Sequence, residues 1–108
     1  MKVVWTNGCF DVLHRGHIEM LKFARSLGDK LIVGLDTDEK VKLSKGENRP
    51  FNNLEDREMM VRSIRYVDDT VSFDSQNELE NLIKTIKPDI LVVGLLIVTG
   101  KQYHQHIV

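Results

Sequence analysis

The sequence predicts an α/β protein in which a parallel sheet is covered by helices on both faces. Four short apolar segments of strand length alternate with segments of helical periodicity. The last of them, at residues 89–94, is apolar enough to be covered on both faces. Strands that alternate with helices pair in parallel through right-handed crossovers, so we expect a Rossmann-like three-layer α/β/α sandwich.

The first half of the chain supplies two strands, a helix and a long loop. A β-branched and aromatic run at residues 2–6, halted by Asn-Gly, predicts a buried strand with Trp5 in the core. Apolar residues that recur every three positions predict a helix over 17–27, and residues 30–35 form a second apolar strand. The basic, glycine-containing stretch 40–53 predicts a loop that covers a site.

The second half of the chain continues the alternation of helices and strands. Asn53 is a suitable N-cap for a helix over residues 54–66. Residues 69–73 then predict a third strand, and the capping-box pattern that begins at Ser75 precedes the clearest helical periodicity in the chain. The apolar run at 89–94, which follows a proline, predicts the fourth strand.

Charge and composition exclude several classes of function. The chain carries 15 basic and 16 acidic residues, so no broad field favours nucleic acid or an anionic membrane. Its apolar runs are shorter than the roughly 20 residues that span a bilayer. The single cysteine allows no internal disulfide and the first residues show no leader pattern, so we expect a cytoplasmic protein.

The loop after the first strand, residues 7–16, is the predicted binding site. In open α/β sheets ligands bind beyond the carboxyl ends of the strands, where the strand order reverses. Gly8 and Gly16 allow close approach of the backbone to a ligand, and free amides at the start of a helix favour a phosphate. His14 and His17 would place two imidazoles near one bound phosphate.

These residues resemble a known family, the cytidylyltransferase-like nucleotidyltransferases. Residues 14–17 match its H-x-G-H motif, and residues 6–14 are similar to the first motif of bacterial heptose-1-phosphate adenylyltransferases, as is the loop 45–50. Arg57 and the segment 64–68 are similar to glycerol-3-phosphate cytidylyltransferase. The resemblance covers about residues 2–94.

The resemblance implies a reaction and its partners. The phosphate of a sugar or polyol would attack the α-phosphorus of ATP or CTP directly, with pyrophosphate leaving and magnesium assisting. No covalent enzyme intermediate is expected. The resemblance also implies a homodimer, while the balanced charge predicts neither nucleic acid nor a membrane as a partner.

The same resemblance implies a role for each residue of the site. Asp11 would order the loop or lie near the metal, and no metal ion held by the protein alone is expected. The catalytic residues would be His14, His17 and Lys45; the nucleotide-binding residues Gly8, Cys9, Phe10, Asp11 and Gly16; and the substrate- or phosphate-binding residues Arg49, Arg57 and Arg65.

Taken alone, the histidine pair has other interpretations. His14 and His17 could simply cap a helix, or could form part of a zinc site with Cys9 and Asp11. The zinc interpretation is the less favoured one, because it would need Cys9 and Asp11 as the third and fourth ligands. Cys9 is then a small loop residue.

The cationic and methionine residues also have structural interpretations. Lys45 could belong to a solvated basic loop. Arg57 and Arg65, eight residues apart on the predicted second helix, could pair with nearby acids. Met59 and Met60 are most simply core residues.

After Gly94 the sequence departs from the family pattern. The acidic or aromatic pair and the later serine-threonine motif of the family are missing, so we divide the chain into a domain at residues 1–94 and a divergent tail at 95–108 that is truncated or altered. Three hypotheses follow: an active nucleotidyltransferase, a nucleotide-binding or assembly module without turnover, and a dinucleotide or flavodoxin-like domain. The last ranks lowest because the first loop lacks Gly-x-Gly-x-x-Gly.

Overall fold

The computed structural model describes residues 1–94 and 96–99 of the chain. Of the helices within those residues, the longest has 12 residues, and none has the length and apolarity that crossing a membrane requires. In chain order the elements are β1 (Val3–Gly8), α1 (Arg15–Ser26), β2 (Lys30–Asp36), α2 (Asp38–Lys45), α3 (Leu54–Arg62), β3 (Asp69–Phe73), α4 (Gln76–Ile86), β4 (Ile90–Val93) and β5 (Leu96–Thr99).

The strands form one sheet in the order β3-β2-β1-β4-β5. The first four are parallel, as predicted, with Val3 opposite Lys30 and Gly8 opposite Leu35 in the β1–β2 pair. The fifth strand runs antiparallel to β4, which the prediction of a parallel sheet did not include. The reason is the two-residue connection between Val93 and Leu96, because a parallel partner would require a long crossover.

Helices cover both faces of the sheet, which confirms the three-layer prediction. On one face Leu21 of α1 and Val61 of α3 pack against the buried valine and leucine side chains of β1 and β2. On the other face Ile83 of α4 packs with Trp5 and Phe73. Each face therefore has its own apolar cluster.

Glycine is required at position 34 of β2 because an indole lies against it. A Cβ atom at Gly34 would lie 2.5 Å from Cζ2 and 2.7 Å from Cη2 of Trp5. The indole is fully buried and is fixed by its Nε1–H, which donates to Oδ1 of Asn7 at 2.8 Å. The tryptophan thus occupies the volume that a larger residue in β2 would need.

Helix α2 replaces the first part of the predicted loop over residues 40–53. Thr37 caps it by accepting the amide of Lys40, and acidic residues in its first turn and basic residues in its last turn complement the helix dipole. Val41 is its one buried residue, so the sequence has no apolar periodicity from which this helix could be predicted.

Two other helices differ from the prediction at their ends. Helix α1 begins at Arg15, two residues before the predicted start, and α3 ends at Arg62 rather than at residue 66. The expectation that Met59 and Met60 are core residues is wrong, because their side chains are 70% and 58% exposed. The apolar face of α3 is formed by Val61, with Leu54 and Ile64 partly buried beside it.

The predicted domain boundary after Gly94 falls at the connection to β5. Leu96–Thr99 continues the sheet, so the described part of the predicted tail belongs to the same domain. Residue 95 and residues 100–108 lie outside the described residues.

Replacing Gly34 by alanine is expected to destabilise the protein by about 1–3 kcal/mol, because the added methyl overpacks the space that the Trp5 indole fills. Urea unfolding measures this loss. The Trp5→Phe background removes the two clashing ring atoms, so the same Gly34→Ala change should cost less there. Equal costs in both backgrounds would contradict the proposed packing constraint.

Candidate functional site

The loop between β1 and α1 lies where the order of the strands reverses. Strand β1 pairs with β2 on one side and with β4 on the other, so its carboxyl end opens onto the crevice that binds ligands in such sheets. The loop follows Gly8 and ends at His14, the N-cap of α1. The topology thus agrees with the position predicted from the sequence.

His14 and His17 form a capping box made of two imidazoles. Nδ1 of His14 accepts the amide of Gly16 at 3.0 Å, and Nδ1 of His17 accepts the amide of His14 at 3.2 Å. The two rings are tilted by 39° to each other, with their centroids 4.0 Å apart. Both side chains are therefore held at the amino end of α1, where the helix dipole favours an anion.

These hydrogen bonds also determine which nitrogen carries the proton. Because each Nδ1 accepts a backbone N–H, the proton of each neutral imidazole resides on Nε2. Burial lowers the pKa of His17 below its ordinary value, and the neighbouring charges of His14 and Lys45 lower it further. His17 is therefore a neutral donor with its Nε2–H available to a ligand.

Glycine at position 16 allows the His14 ring to fold back over the first turn of α1. A Cβ atom there would lie 2.7 Å from Cε1 and 3.0 Å from Nδ1 of His14. A larger residue would push the imidazole away from the amide that it caps. The glycine of the H-x-G-H pattern is thus explained by the position of the first histidine.

Lys45, the last residue of α2, belongs to the same site. Its side chain is exposed, and its charge acts on both His17 and Cys9. Burial raises the pKa of the Cys9 thiol, against the opposing charges of Lys45 and Arg57. Lys45 therefore lies close enough to the histidine loop for its charge to act on His17, and its catalytic role stays a prediction. Cys9 is a buried loop residue.

Asp11 joins the histidine loop to the segment before α3. Its Oδ2 accepts the amide of Phe51 at 2.7 Å and its Oδ1 the amide of Asn52 at 2.8 Å, while Asn52 Nδ2 donates to the Asp11 carbonyl at 2.7 Å. Burial raises the pKa of Asp11, but these two amides, with Arg49 and Arg57, hold it below its ordinary value. Asp11 therefore orders the loop as an ionised carboxylate.

Arg49 and Phe10 complete the surroundings of the loop. The Arg49 guanidinium lies 4.5 Å from the ring centroid of Phe51, and its Nε is 3.7 Å from Oδ2 of Asp11. Phe10 adopts a left-handed backbone with φ of 52° and places its ring 5.5 Å from that of His17. The structure therefore places Arg49 at the edge of the site and Phe10 beneath the second histidine.

Arg57 lies beneath the site and is fully buried. Its Nε donates to the Asn52 carbonyl at 2.9 Å, and its Nη1 donates to the carbonyls of Cys9 at 3.0 Å and Asp36 at 2.8 Å. Its Nη2 pairs with Oδ1 of Asp38 at 2.6 Å. Four bonds to protein acceptors make Arg57 a positioning residue in this structure; direct contact with substrate stays a prediction.

Arg65 is the one predicted site residue that the structure does not bring to the others. It follows the end of α3, close to Asp68, whose amide donates to the Leu31 carbonyl at the amino end of β2. The histidine loop follows the carboxyl end of β1. The two edges are separated by roughly 17 Å at the rise of a six-residue strand. Helix α3 runs away from the site, which is why spacing along one helix face misplaced Arg65.

Sequence reasoning missed two residues that build the site. Asn52 contributes its amide and its side chain to Asp11, and Asp38 provides the carboxylate that pairs with Arg57. The sequence analysis interpreted only Asn53, as a helix cap, and gave Asn52 no role; Asp38 begins the helix that the sequence did not reveal.

The described residues offer no protein cage for a metal ion. Within residues 1–94 and 96–99 no group of three or more His, Cys, Asp or Glu side chains is placed to hold one. Both carboxylate oxygens of Asp11 are engaged with backbone amides. The zinc interpretation of the histidine pair therefore finds no support in these residues.

The strand order and the paired imidazoles define an α/β domain of the H-x-G-H nucleotidyltransferase class. The model of the cytidylyltransferase-like family matches residues 5–107, so the chain belongs to this family. The resemblance inferred from the motifs is thereby confirmed.

Similar proteins agree with this assignment. The bifunctional protein HldE of Campylobacter fetus is 54% identical over 92 residues, which cover 85% of this chain and 20% of the relative. HldE of Helicobacter hepaticus is 50% identical over 111 residues, which cover 99% of this chain and 23% of the relative. The chain thus spans about a fifth of the length of these curated relatives.

A solved structure agrees as well. The crystal structure of the lipopolysaccharide core biosynthesis protein from Thermoplasma volcanium GSS1 matches with a TM-score of 0.76 and 30% sequence identity. The match covers 84% of this chain and 72% of the other.

The Arg57→Met variant is expected to lose about 3–5 kcal/mol of unfolding free energy, because it leaves buried acceptors without a donor. Arg62→Met is a matched control on the same helix. Arg62 is 62% exposed and pairs with Glu58, so its loss should cost less than about 1 kcal/mol. Similar losses in the two variants, measured by urea unfolding, would contradict the positioning role of Arg57.

The lowered pKa of His17 predicts a pH dependence of stability. The unfolded chain takes up a proton at the ordinary histidine pKa of about 6.5, whereas the folded chain resists it, so stability falls as the pH drops through and below that value. In His17→Gln, whose side chain preserves the capping box without titrating, the fall should be smaller. Urea unfolding at about pH 7.5 and about pH 5.5 measures the difference. An equal fall in both proteins would show that His17 does not cause it.

Proposed function

We propose that this domain transfers a nucleotidyl group from ATP or CTP to the phosphate of a small phosphorylated sugar or polyol, with release of pyrophosphate. The observation that carries the proposal is the pair of imidazoles at the start of α1, each with Nδ1 engaged by a backbone amide and Nε2 left to face a ligand. A helix start with two further N–H donors is suited to a phosphate.

In the proposed reaction an oxygen of the acceptor phosphate forms a bond to the α-phosphorus. The bond from that phosphorus to the bridging oxygen of the triphosphate breaks, and pyrophosphate leaves with the electron pair. His14 and His17 donate their Nε2–H groups to the oxygens on which charge develops, and Lys45 holds phosphate oxygens from the end of α2. These donors lower the activation barrier most when they are held in place before the reaction.

The relatives support one choice of substrates over the other. The relatives named bifunctional protein HldE are 50% and 54% identical to this chain, and residues 6–14 and 45–50 are similar to the motifs of heptose-1-phosphate adenylyltransferases. We therefore propose ATP and a sugar 1-phosphate such as heptose 1-phosphate as the substrates. CTP with glycerol 3-phosphate is the alternative, on the similarity of Arg57 and residues 64–68. A homodimer and a cytoplasmic location stay predictions.

Magnesium is proposed to enter with the triphosphate. The described residues present no cluster of three or more carboxylate, histidine or cysteine ligands, whereas Mg²⁺ in such reactions is commonly held by substrate phosphates and water. It would neutralise the triphosphate charge. The positions of Lys45 and Arg49 at the edge of the site suit the remaining phosphate oxygens and the acceptor phosphate.

His14→Asn and His17→Gln are expected to lower the turnover of pyrophosphate release by roughly 10² to 10³ each, because each removes a donor to the transition state. Asparagine at an N-cap and glutamine at the third helical position preserve the capping interactions. Unfolding free energies measured alongside should therefore stay close to those of the unmodified protein.

The assay uses ATP and CTP, each with heptose 1-phosphate or glycerol 3-phosphate. Turnover that falls in both variants at unchanged stability supports the proposal and identifies base and acceptor. Triphosphate binding without pyrophosphate release from any pair would contradict it and favour a nucleotide-binding module. Unchanged turnover in the variants would contradict the role of the histidines.

A further inference from the structure

A cavity of about 390 Å³ lies beside the histidine loop and shares Phe10, Asp11, Asn52 and Arg57 with the site described above. One wall is formed by Val12 and Leu13 of the loop, and the opposite wall by Asp56, Met59 and Met60 of α3. Its volume is within the range of small-molecule sites. Because Leu13 directly precedes His14, a ligand in the cavity lies next to the proposed site of reaction.

The walls combine exposed apolar side chains with one free carboxylate. Val12, Met59 and Met60 are each more than half exposed, although the periodicity of α3 predicts the methionines in the core. In the described part of the chain the Asp56 carboxylate makes no hydrogen bond or ion pair. The polar groups of Arg57, by contrast, are directed to protein acceptors.

These charges decide which part of a substrate the cavity suits. A free carboxylate repels a triphosphate, whose charge is better placed near Lys45 and Arg49. A carboxylate does accept hydrogen bonds from hydroxyl groups, and two oxygens serve two neighbouring hydroxyls. The methionine and valine side chains suit the C–H surface of the same molecule.

We propose that this cavity binds the uncharged, hydroxyl-bearing body of the phosphorylated acceptor, while its phosphate reaches towards His14 and His17. The proposal rests on the proposed function and specifies where its second substrate lies. Asp56 is then the residue that recognises hydroxyl groups, and Met59 and Met60 form the apolar side of the subsite. The nucleotide occupies the other side of the histidine loop.

Methionine methyl NMR tests the location directly on the full chain. Titration with glycerol 3-phosphate or a sugar 1-phosphate should shift the methyl signals of Met59 and Met60, while Met1, which precedes the amino end of β1 at the opposite edge of the sheet, stays unchanged. ATP or inorganic phosphate should leave the two cavity signals in place. No shift at saturating acceptor, or a shift on protein concentration alone, overturns the proposal; the second result would assign the cavity to another copy of the chain.

A kinetic test separates the subsite from the reaction itself. Asp56→Asn should raise KM for the acceptor by roughly tenfold and leave KM for the triphosphate unchanged. Glu55→Gln is the matched control, because it removes the same charge from the same turn of α3 outside the cavity. Turnover with an unaltered acceptor KM in Asp56→Asn would overturn the subsite and leave the proposed function standing. Methyl shifts without pyrophosphate release would support the subsite and contradict the proposed function.

Discussion

The buried guanidinium of Arg57 is the interaction on which the arrangement of the site depends. A planar group with donors in fixed directions reaches the loop after β1, the end of β2, the first turn of α2 and the segment before α3 at once. Four hydrogen bonds from one buried group thus tie these four segments together. Arg57 also holds the first turn of α2, the helix that ends at Lys45.

Asp11 provides the second connection between separate segments of the site. It takes two amides from the segment before α3, and that segment in turn gives its Asn52 carbonyl to Arg57. The buried groups of Asp11 and Arg57, which carry opposite charges, thus both bond to the segment before α3. Each is bonded to several protein groups, and this network favours a single conformation of the surrounding loops.

Local patterns predicted the fold well where a helix or strand has its own apolar face. The strands 30–36 and 69–73 and the helix capped by Ser75 needed no tertiary information. Helix α2 was missed because Val41 alone is buried, and β5 because a short antiparallel connection gives no signal in an alternating pattern. In the site, the histidine loop was predictable from its motif. The burial of Arg57 was not, because its partners come from four separate segments.

The capping box has a consequence for how this family changes over time. The Nδ1 atoms that cap the start of α1 and the Nε2 atoms proposed to donate to a ligand belong to the same two rings, so helix initiation and the proposed chemistry depend on the same two side chains. A descendant that lost its reaction would still need side chains that cap the helix at both positions, a need that asparagine at position 14 and glutamine at position 17 would also meet. Inactive members are therefore expected to keep a capping pair at these two positions even where the imidazoles themselves are replaced.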